Sequence, residues 1–191
     1  MGTVAPVLEL LPGPGEWTEE DYYRVADCSR LVELSDGDVE VLPLPTYFHQ
    51  LILLRLSFAL HAFVTANKLG RVVFAPTPIK LWPGKVREPD LMFMAEAHAD
   101  RIGVYWGIPD LAVEILSSGT EKKDREIKRA EYAKAGIGEY WIIDPEARTV
   151  TVLRLDSGTY IDTARLTELD LLTSPMIPGW EYSLREMFAA E

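Results

Sequence analysis

This sequence of 191 residues contains little cysteine and little histidine, and it lacks the motifs of several common enzyme classes. Cys28 is the only cysteine, which excludes an intrachain disulfide and a zinc site built from cysteines, and which is usual in the reducing cytoplasm. The three histidines are scattered and form no His-Glu-x-x-His run. A Walker loop, a dinucleotide-binding glycine pattern and a Gly-x-Ser-x-Gly elbow are also missing, so nucleotide-binding enzymes and serine hydrolases are disfavoured.

Positive charge is scarce too, since 19 Lys and Arg stand against 30 Asp and Glu and the net charge is −11. Proteins that bind nucleic acids through the phosphates normally present a basic surface, so tight, sequence-independent binding by a monomer is not expected. One basic cluster, which includes Lys122 and Lys123, is interleaved with acidic residues. It is compatible with a nucleic-acid contact or with an ordinary solvated helix face.

Long hydrophobic runs are missing as well. Residues 51–65 form the most apolar segment, but Arg55 and His61 interrupt it, and we expect it to be too short to cross a bilayer. The first fifteen residues contain no Lys or Arg and do not match a signal peptide. With 48% hydrophobic residues, the chain can still build a full core. We therefore expect a soluble cytoplasmic protein with an N-terminal arm over residues 1–15 and a single domain over 16–191.

A β-hairpin is predicted around Asp36-Gly37, because this dipeptide lies between two alternating apolar runs. A two-residue turn at this point places Glu33 directly opposite Glu40 on the neighbouring strand. Two carboxylates in that arrangement repel each other. Either this face of the hairpin is exposed to water or a positive group lies beside it.

A long helix is predicted over residues 47–68, where apolar side chains recur at spacings of three and four. This apolar stripe consists of Leu53, Leu56, Leu60 and Phe63. His49 lies on the same stripe one turn earlier and should point inward. Further helices are predicted at residues 18–26, 118–136 and 183–190, and strands at 71–75, 79–82, 88–94, 110–116, 139–143 and 149–155. This mixture indicates an α/β single domain.

The sequence Pro-Asp-Leu occurs twice, at residues 89–91 and 109–111, each time at the start of an apolar run. An antiparallel pairing with residue 92 facing residue 112 places Asp90 opposite Glu114 on one face of the sheet. Lys128, on one stripe of the next helix with Asp124 and Tyr132, can approach Glu114. Buried carboxylates are unfavourable unless they are paired or bound to a metal. The two acids therefore predict either a Mg²⁺ site or ion-paired acids near two strand ends.

Six short runs occur in a fixed order along the chain. They are VELSDG at 32–37, a histidine on a helix at 49, EPDL at 88–91, PDLAVEILS at 109–117, DREIKRAEY at 124–132 and AGIGEYWIIDP at 135–145. In order and number they resemble the Uma-two family of restriction-endonuclease-like proteins, within the PD-(D/E)XK nuclease superfamily. The resemblance extends over roughly residues 17–188, which is nearly the whole chain.

The resemblance implies a restriction-endonuclease-like core, in which helices flank a mixed β-sheet. It also implies that Asp90 and Glu114 hold a divalent metal, Mg²⁺ with Mn²⁺ as a substitute. The superfamily places a lysine two residues after the second acid, but Leu116 stands there. Lys128 resembles the lysine that this branch carries on the next helix instead, and Lys122 is a poorer candidate.

Two further residues belong to the site that the resemblance implies. Glu33 would add an outer carboxylate, and His49 would shape the pocket or relay a proton. The residue pattern alone also allows a different interpretation, in which Glu33 is an exposed strand acid and His49 is a core histidine. Both interpretations stay open at this point.

The activity implied is metal-assisted hydrolysis of phosphodiester bonds in DNA, catalysed by a homodimer because two active sites are needed to cut both strands together. The acidic composition indicates low intrinsic affinity for DNA, a narrow substrate or a separate targeting partner. No membrane contact is expected. A function of another class stays open, namely a catalytically inactive protein on the nuclease fold that binds a partner or a nucleic-acid structure.

Overall fold

The structure, a computed structural model, describes residues 11–26, 31–103 and 105–189. Most of the predicted arm, Cys28 and residue 190 of the last predicted helix lie outside these ranges. The helices are α1 (Glu19–Ala26), α2 (Tyr47–Ala66), a 3₁₀-helix (Glu96–Arg101), a π-helix (Lys123–Lys128) that leads directly into α3 (Arg129–Ala135), and α4 (Leu184–Met187). The strands are β1 (Val32–Ser35), β2 (Asp38–Val41), β3 (Gly70–Phe74), β4 (Ile79–Trp82), β5 (Lys85–Arg87), β6 (Leu91–Ala95), β7 (Leu111–Ile115), β8 (Glu139–Asp144), β9 (Thr149–Asp156), β10 (Thr159–Thr167), β11 (Leu171–Thr173) and β12 (Glu181–Ser183).

A six-stranded sheet in the order β10-β9-β8-β7-β6-β3 forms the centre of the fold. Strands β7 and β8 run parallel and the other neighbours run antiparallel, so the sheet is mixed. A second sheet, in the order β2-β1-β5-β4, contains the predicted hairpin in its predicted register, and β11 pairs with β12. This architecture confirms the predicted fold class, a mixed sheet flanked by helices.

Each face of the central sheet packs into its own hydrophobic core. Leu91 and Phe93 lie in one core with side chains of α2 and α4, whereas Met92 and Ala112 lie in the other with Tyr132 of α3. The division follows the alternation of side chains along a strand. It is the division that the sequence predicted for these two strands.

Helix α2 is longer than the most apolar segment of the sequence. It has 20 residues with a mean hydropathy of 1.3, so by length and composition alone it could cross a membrane, and the prediction that this segment is too short is wrong. Leu53, Leu56 and Leu60 nevertheless lie in the core, as in the central helix of a globular domain. The helix ends two residues before the predicted position, where the backbone N–H of Asn67 bonds to the carbonyl of Phe63.

Three parts of the fold differ from the prediction. The strand predicted over 88–94 begins only at Leu91, as β6, because Pro89 has no N–H and the N–H of Glu88 donates to the Glu33 carboxylate instead of to a strand. Strands β10, β11 and β12 were not predicted, since they are largely exposed and lack the apolar alternation of a half-buried strand. The final helix is a single turn, Leu184–Met187.

Candidate active site

A cavity of about 190 Å³ lies beside the adjoining ends of β6 and β7. Four of the five residues that the sequence singled out line it: His49, Asp90, Glu114 and Lys128. The fifth, Glu33, lies behind the cavity wall and contacts Lys128. The structure thus brings all five into one cluster, and their chemical roles stay predictions.

The antiparallel pairing of β6 and β7 brings Asp90 and Glu114 together. Met92 pairs with Ala112, which is the register that the sequence predicted. Directly beyond the paired residues, the backbone N–H of Ile115 donates a 2.7 Å hydrogen bond to Oδ2 of Asp90. This bond holds the Asp90 carboxylate against the strand that carries Glu114.

Glu114 is buried, and one of its oxygen atoms receives two strong contacts. Nζ of Lys128 lies 2.8 Å from Oε1, and the Tyr132 hydroxyl donates a 2.6 Å hydrogen bond to the same atom. Burial raises the pKa of Glu114 well above its usual value, although the charge of Lys128 acts in the opposite direction. Both contacts go to Oε1, so neither engages Oε2.

Lys128 is the buried cation of the site, and three carboxylates surround its ammonium group. Besides Glu114, its Nζ lies 3.2 Å from Oδ1 of Asp124 and 3.4 Å from Oε1 of Glu33. Burial would lower the pKa of Lys128, but the three acids raise it well above its usual value. Lys128 is therefore protonated at neutral pH.

Glu33 is fully buried, at 0% exposure, and is held by cations. Lys123 lies 2.6 Å from Oε2 and also contacts Glu40, and Arg87 donates to the same Oε2 at 3.3 Å. Burial would raise the pKa of Glu33, but the charges of Lys128, Lys123 and Arg87 lower it to about 2. The interpretation of Glu33 as an exposed strand acid is wrong. The positive group expected beside the two facing carboxylates is Lys123.

Arg87 connects the second sheet, the one that contains β5, to helix α3. Its Nε and Nη2 donate to the two carboxylate oxygens of Glu131, at 2.7 and 2.9 Å, while its Nη1 bonds to Glu33. A fork of this kind fixes the guanidinium in one orientation. Through Arg87, Glu33 is therefore linked both to β5 and to α3.

His49 is buried at the start of α2 and points inward, as predicted. Its Nε2 lies 3.3 Å from Oδ2 of Asp90, while its Nδ1 has no hydrogen-bond partner among the described residues. Thr46 caps the helix by accepting a hydrogen bond from the backbone N–H of His49. His49 is thus buried like a core residue and also contacts Asp90, and its role in shaping the pocket or relaying a proton stays a prediction.

Sequence reasoning missed two residues of the cavity wall, Glu88 and Lys123. Oε1 of Glu88 accepts a 2.7 Å hydrogen bond from the Tyr22 hydroxyl, and its buried Oε2 has no hydrogen-bond partner among the described residues. Burial raises the pKa of Glu88 to about 7, against the effect of the bond from Tyr22. Glu88 lies two positions before Asp90, yet only the packing of α1 beside it reveals its surroundings. Lys122, the poorer candidate, is exposed and does not line the cavity.

The side chains in the cavity suit a hard divalent cation. No three Asp, Glu, His or Cys side chains of the described ranges are grouped closely enough to hold an ion by themselves. Mg²⁺ does not require three, because it commonly uses one or two carboxylates and completes its shell with water and substrate phosphate. Asp90 and Glu114 provide two carboxylates from adjoining strands, and the oxygen donor chemistry fits.

Comparisons with known proteins show the family and the fold of the chain. The model of a family described as “Uma2: Putative restriction endonuclease” matches residues 19–185. A crystal structure described as “a putative nuclease belonging to DUF820 from Anabaena variabilis” is similar, with a TM-score of 0.75 and 18% sequence identity, and the match covers 90% of this chain and 97% of that one. At this identity the likeness shows the fold alone. No curated protein matches the chain.

Proposed function

Because the chain belongs to the Uma2 family, we propose that it is a divalent-metal-dependent endonuclease that hydrolyses phosphodiester bonds in DNA. The observation that carries this proposal is the cavity in which Asp90, Glu114 and Lys128 meet. Two carboxylates beside a protonated lysine are the groups that metal-assisted phosphodiester hydrolysis needs. The fold shared with the DUF820 structure is consistent with the same activity.

In this mechanism Asp90 and Glu114 hold the cation, Mg²⁺ or its substitute Mn²⁺. When bound, the ion polarises a phosphoryl oxygen and lowers the pKa of a coordinated water. Lys128 donates from its ammonium group to the attacking water or to the oxygens of the scissile phosphate, where negative charge builds up. Tyr132 keeps Glu114 oriented through its 2.6 Å hydrogen bond.

His49 and Glu33 act through other residues in this proposal. His49 contacts Asp90 and would fix the carboxylate that holds the cation. Glu33 contacts Lys128 from behind and keeps the ammonium group charged and in place. Both are therefore positioning residues, and neither needs to touch the substrate.

The direct test is incubation of the protein with linear, supercoiled, nicked and branched DNA, and with RNA, in Mg²⁺ or Mn²⁺. We expect cleavage of DNA that requires the cation and that falls by orders of magnitude in Asp90→Asn, which is prepared in parallel to detect contaminating nucleases. Cleavage of equal rate in wild type and Asp90→Asn would contradict the proposal. Cleavage of RNA alone would correct the substrate.

Thermal unfolding separates metal binding from catalysis. We expect Mg²⁺ or Mn²⁺ to raise the Tm of the wild type more than that of Glu114→Gln, because a ligand that binds only the folded state stabilises it. Lys128→Ala should keep a cation-dependent rise in Tm while it loses cleavage. A folded wild type that shows neither a cation-dependent rise in Tm nor cleavage would favour the alternative function, a catalytically inactive protein that binds a partner. This alternative is specific because Leu116 stands where the superfamily motif has a lysine.

A further inference from the structure

A groove of about 580 Å³ lies between α2 and β3, next to the catalytic cavity. Gln50, Leu53 and Ala75 line both the groove and the cavity, so the two are continuous. Strand β3 forms one edge of the central sheet. The groove contains no Asp, Glu, Lys or Arg, in contrast to the cavity that it adjoins.

Large apolar side chains stand exposed along the groove. The rings of Phe58 on α2 and Phe74 on β3 are 67% and 55% exposed, and Leu54 lies beside them. An exposed apolar patch of this kind usually marks a binding surface. Two aromatic rings on opposite walls favour a ligand that is flat and has apolar faces.

The groove also offers a polar group to a ligand. Gln50 presents an exposed amide where the groove meets the cavity. Ser57 lines the groove as well, but its Oγ is buried and out of reach of a ligand. A ligand with a polar edge beside its apolar faces therefore fits this end of the groove.

Building on the proposed nuclease activity, we propose that this groove binds unpaired nucleobases of the strand whose phosphodiester lies in the cavity, so that the substrate is single-stranded or locally unpaired DNA. A nucleobase has flat apolar faces for Phe58 and Phe74 and a polar edge for Gln50. Stacking on aromatic side chains is the usual way in which proteins bind unpaired strands irrespective of sequence. It also suits a chain with a net charge of −11, which can offer few phosphate contacts.

The test is the affinity for a fluorescein-labelled oligothymidylate of about twelve nucleotides, measured by fluorescence anisotropy in EDTA so that no cleavage occurs. We expect Phe58→Ala and Phe74→Ala each to weaken binding by about 5- to 100-fold, the range for loss of one stacked base. Phe58→Trp should retain the affinity, whereas Phe58→Leu, which stays apolar but cannot stack, should lose it. Leu169→Ala removes another exposed apolar side chain, 74% exposed, which lines neither the groove nor the cavity, and should have no effect.

Several outcomes would overturn the groove proposal. Unchanged affinity in Phe58→Ala would do so, as would equal affinity of Phe58→Leu and wild type. A wild-type dimer that Phe58→Ala converts to a monomer, with affinity unaltered, would assign the groove to a second copy of the chain. Because binding is measured without catalysis, the two proposals can fail separately. If cleavage depends on Asp90 but the groove variants bind as tightly as the wild type, the nuclease proposal holds and the groove proposal is wrong. Circular dichroism of each variant checks that it is folded.

Discussion

At the scale of single residues, the site is built from buried charges whose partners come from different elements. Some of this could be predicted from the sequence, because hairpin register fixed Glu33 opposite Glu40 and helical spacing turned His49 inward. The contacts of Lys123 and Glu88 could not, since each depends on how a distant element packs against it. The local sequence pattern predicts the direction in which a side chain points, but not which residue of a distant element it contacts.

Glu33 provides a prediction on stability. Replacing it by Gln leaves Lys128, Lys123 and Arg87 without their shared carboxylate, and we expect a loss of about 3 kcal/mol in the free energy of unfolding at pH 7. The pKa of Glu33 is about 2 in the folded state, against an ordinary value of 4.5. Its stabilising effect is therefore complete above pH 4.5 and disappears as the pH falls towards 2. Denaturant unfolding of wild type and Glu33→Gln across this pH range measures it.

Glu40→Gln is the matched control for this prediction. Glu40 contacts the same Lys123 but its side chain is 43% exposed, so its removal should change the free energy of unfolding by no more than about 1 kcal/mol. If the two variants were equally destabilised, or if the effect of Glu33→Gln did not depend on pH, the buried-charge account of Glu33 would be wrong.

At the scale of elements, β6, which follows Asp90, and β7, which carries Glu114, were the most predictable part of the fold. The Pro-Asp-Leu sequence at the start of each apolar run indicated their pairing, alternation of side chains along a strand indicated the faces, and the structure has the same pairing of Met92 with Ala112. The π-helical stretch Lys123–Lys128 was predicted as an ordinary helix, because no residue pattern distinguishes the two. The site therefore combines two strands that the sequence predicts with a π-helical stretch that it does not predict.

The joint between β3 and β6 gives a prediction at this scale. Gly70 has a φ of +154°, and a Cβ there would lie 2.0 Å from the carbonyl oxygen of Met94. We expect Gly70→Ala to lower the free energy of unfolding by about 3 kcal/mol, because the backbone of the sheet edge must move. Gly136 has a φ of +85° at the end of α3, but a Cβ at that position would have no atom within 4 Å among the described residues.

Gly136→Ala is accordingly the comparison variant. It should lose about 1 kcal/mol, the usual effect of a left-handed backbone conformation at a non-glycine residue. Urea denaturation of both variants measures the difference. Equal losses would show that strain at φ, and not the close approach of Met94, determines the effect at Gly70.

At the scale of the whole molecule, a cut through both strands of a duplex requires two copies of the site. One chain contains one such cavity. The homodimer expected from the sequence would supply the second cavity. If the active form is a dimer that acts at a locally unpaired stretch of a duplex, supercoiled plasmid should convert directly to the linear form, with little accumulation of nicked circles. Agarose gels over a time course show the order of products, and light scattering gives the mass. Nicked circles that accumulate before linear DNA would indicate cleavage by independent monomers.

The fork between Arg87 and Glu131 holds one wall of the cavity in place. The hairpin supplies one wall of the cavity through Leu31 and Leu42, and the guanidinium ties this sheet to α3. Swinging that wall outward would separate buried ions, at a penalty of several kcal/mol. The hairpin therefore forms a rigid wall of the cavity and not a gate, and we expect a substrate strand to enter along the groove beside α2.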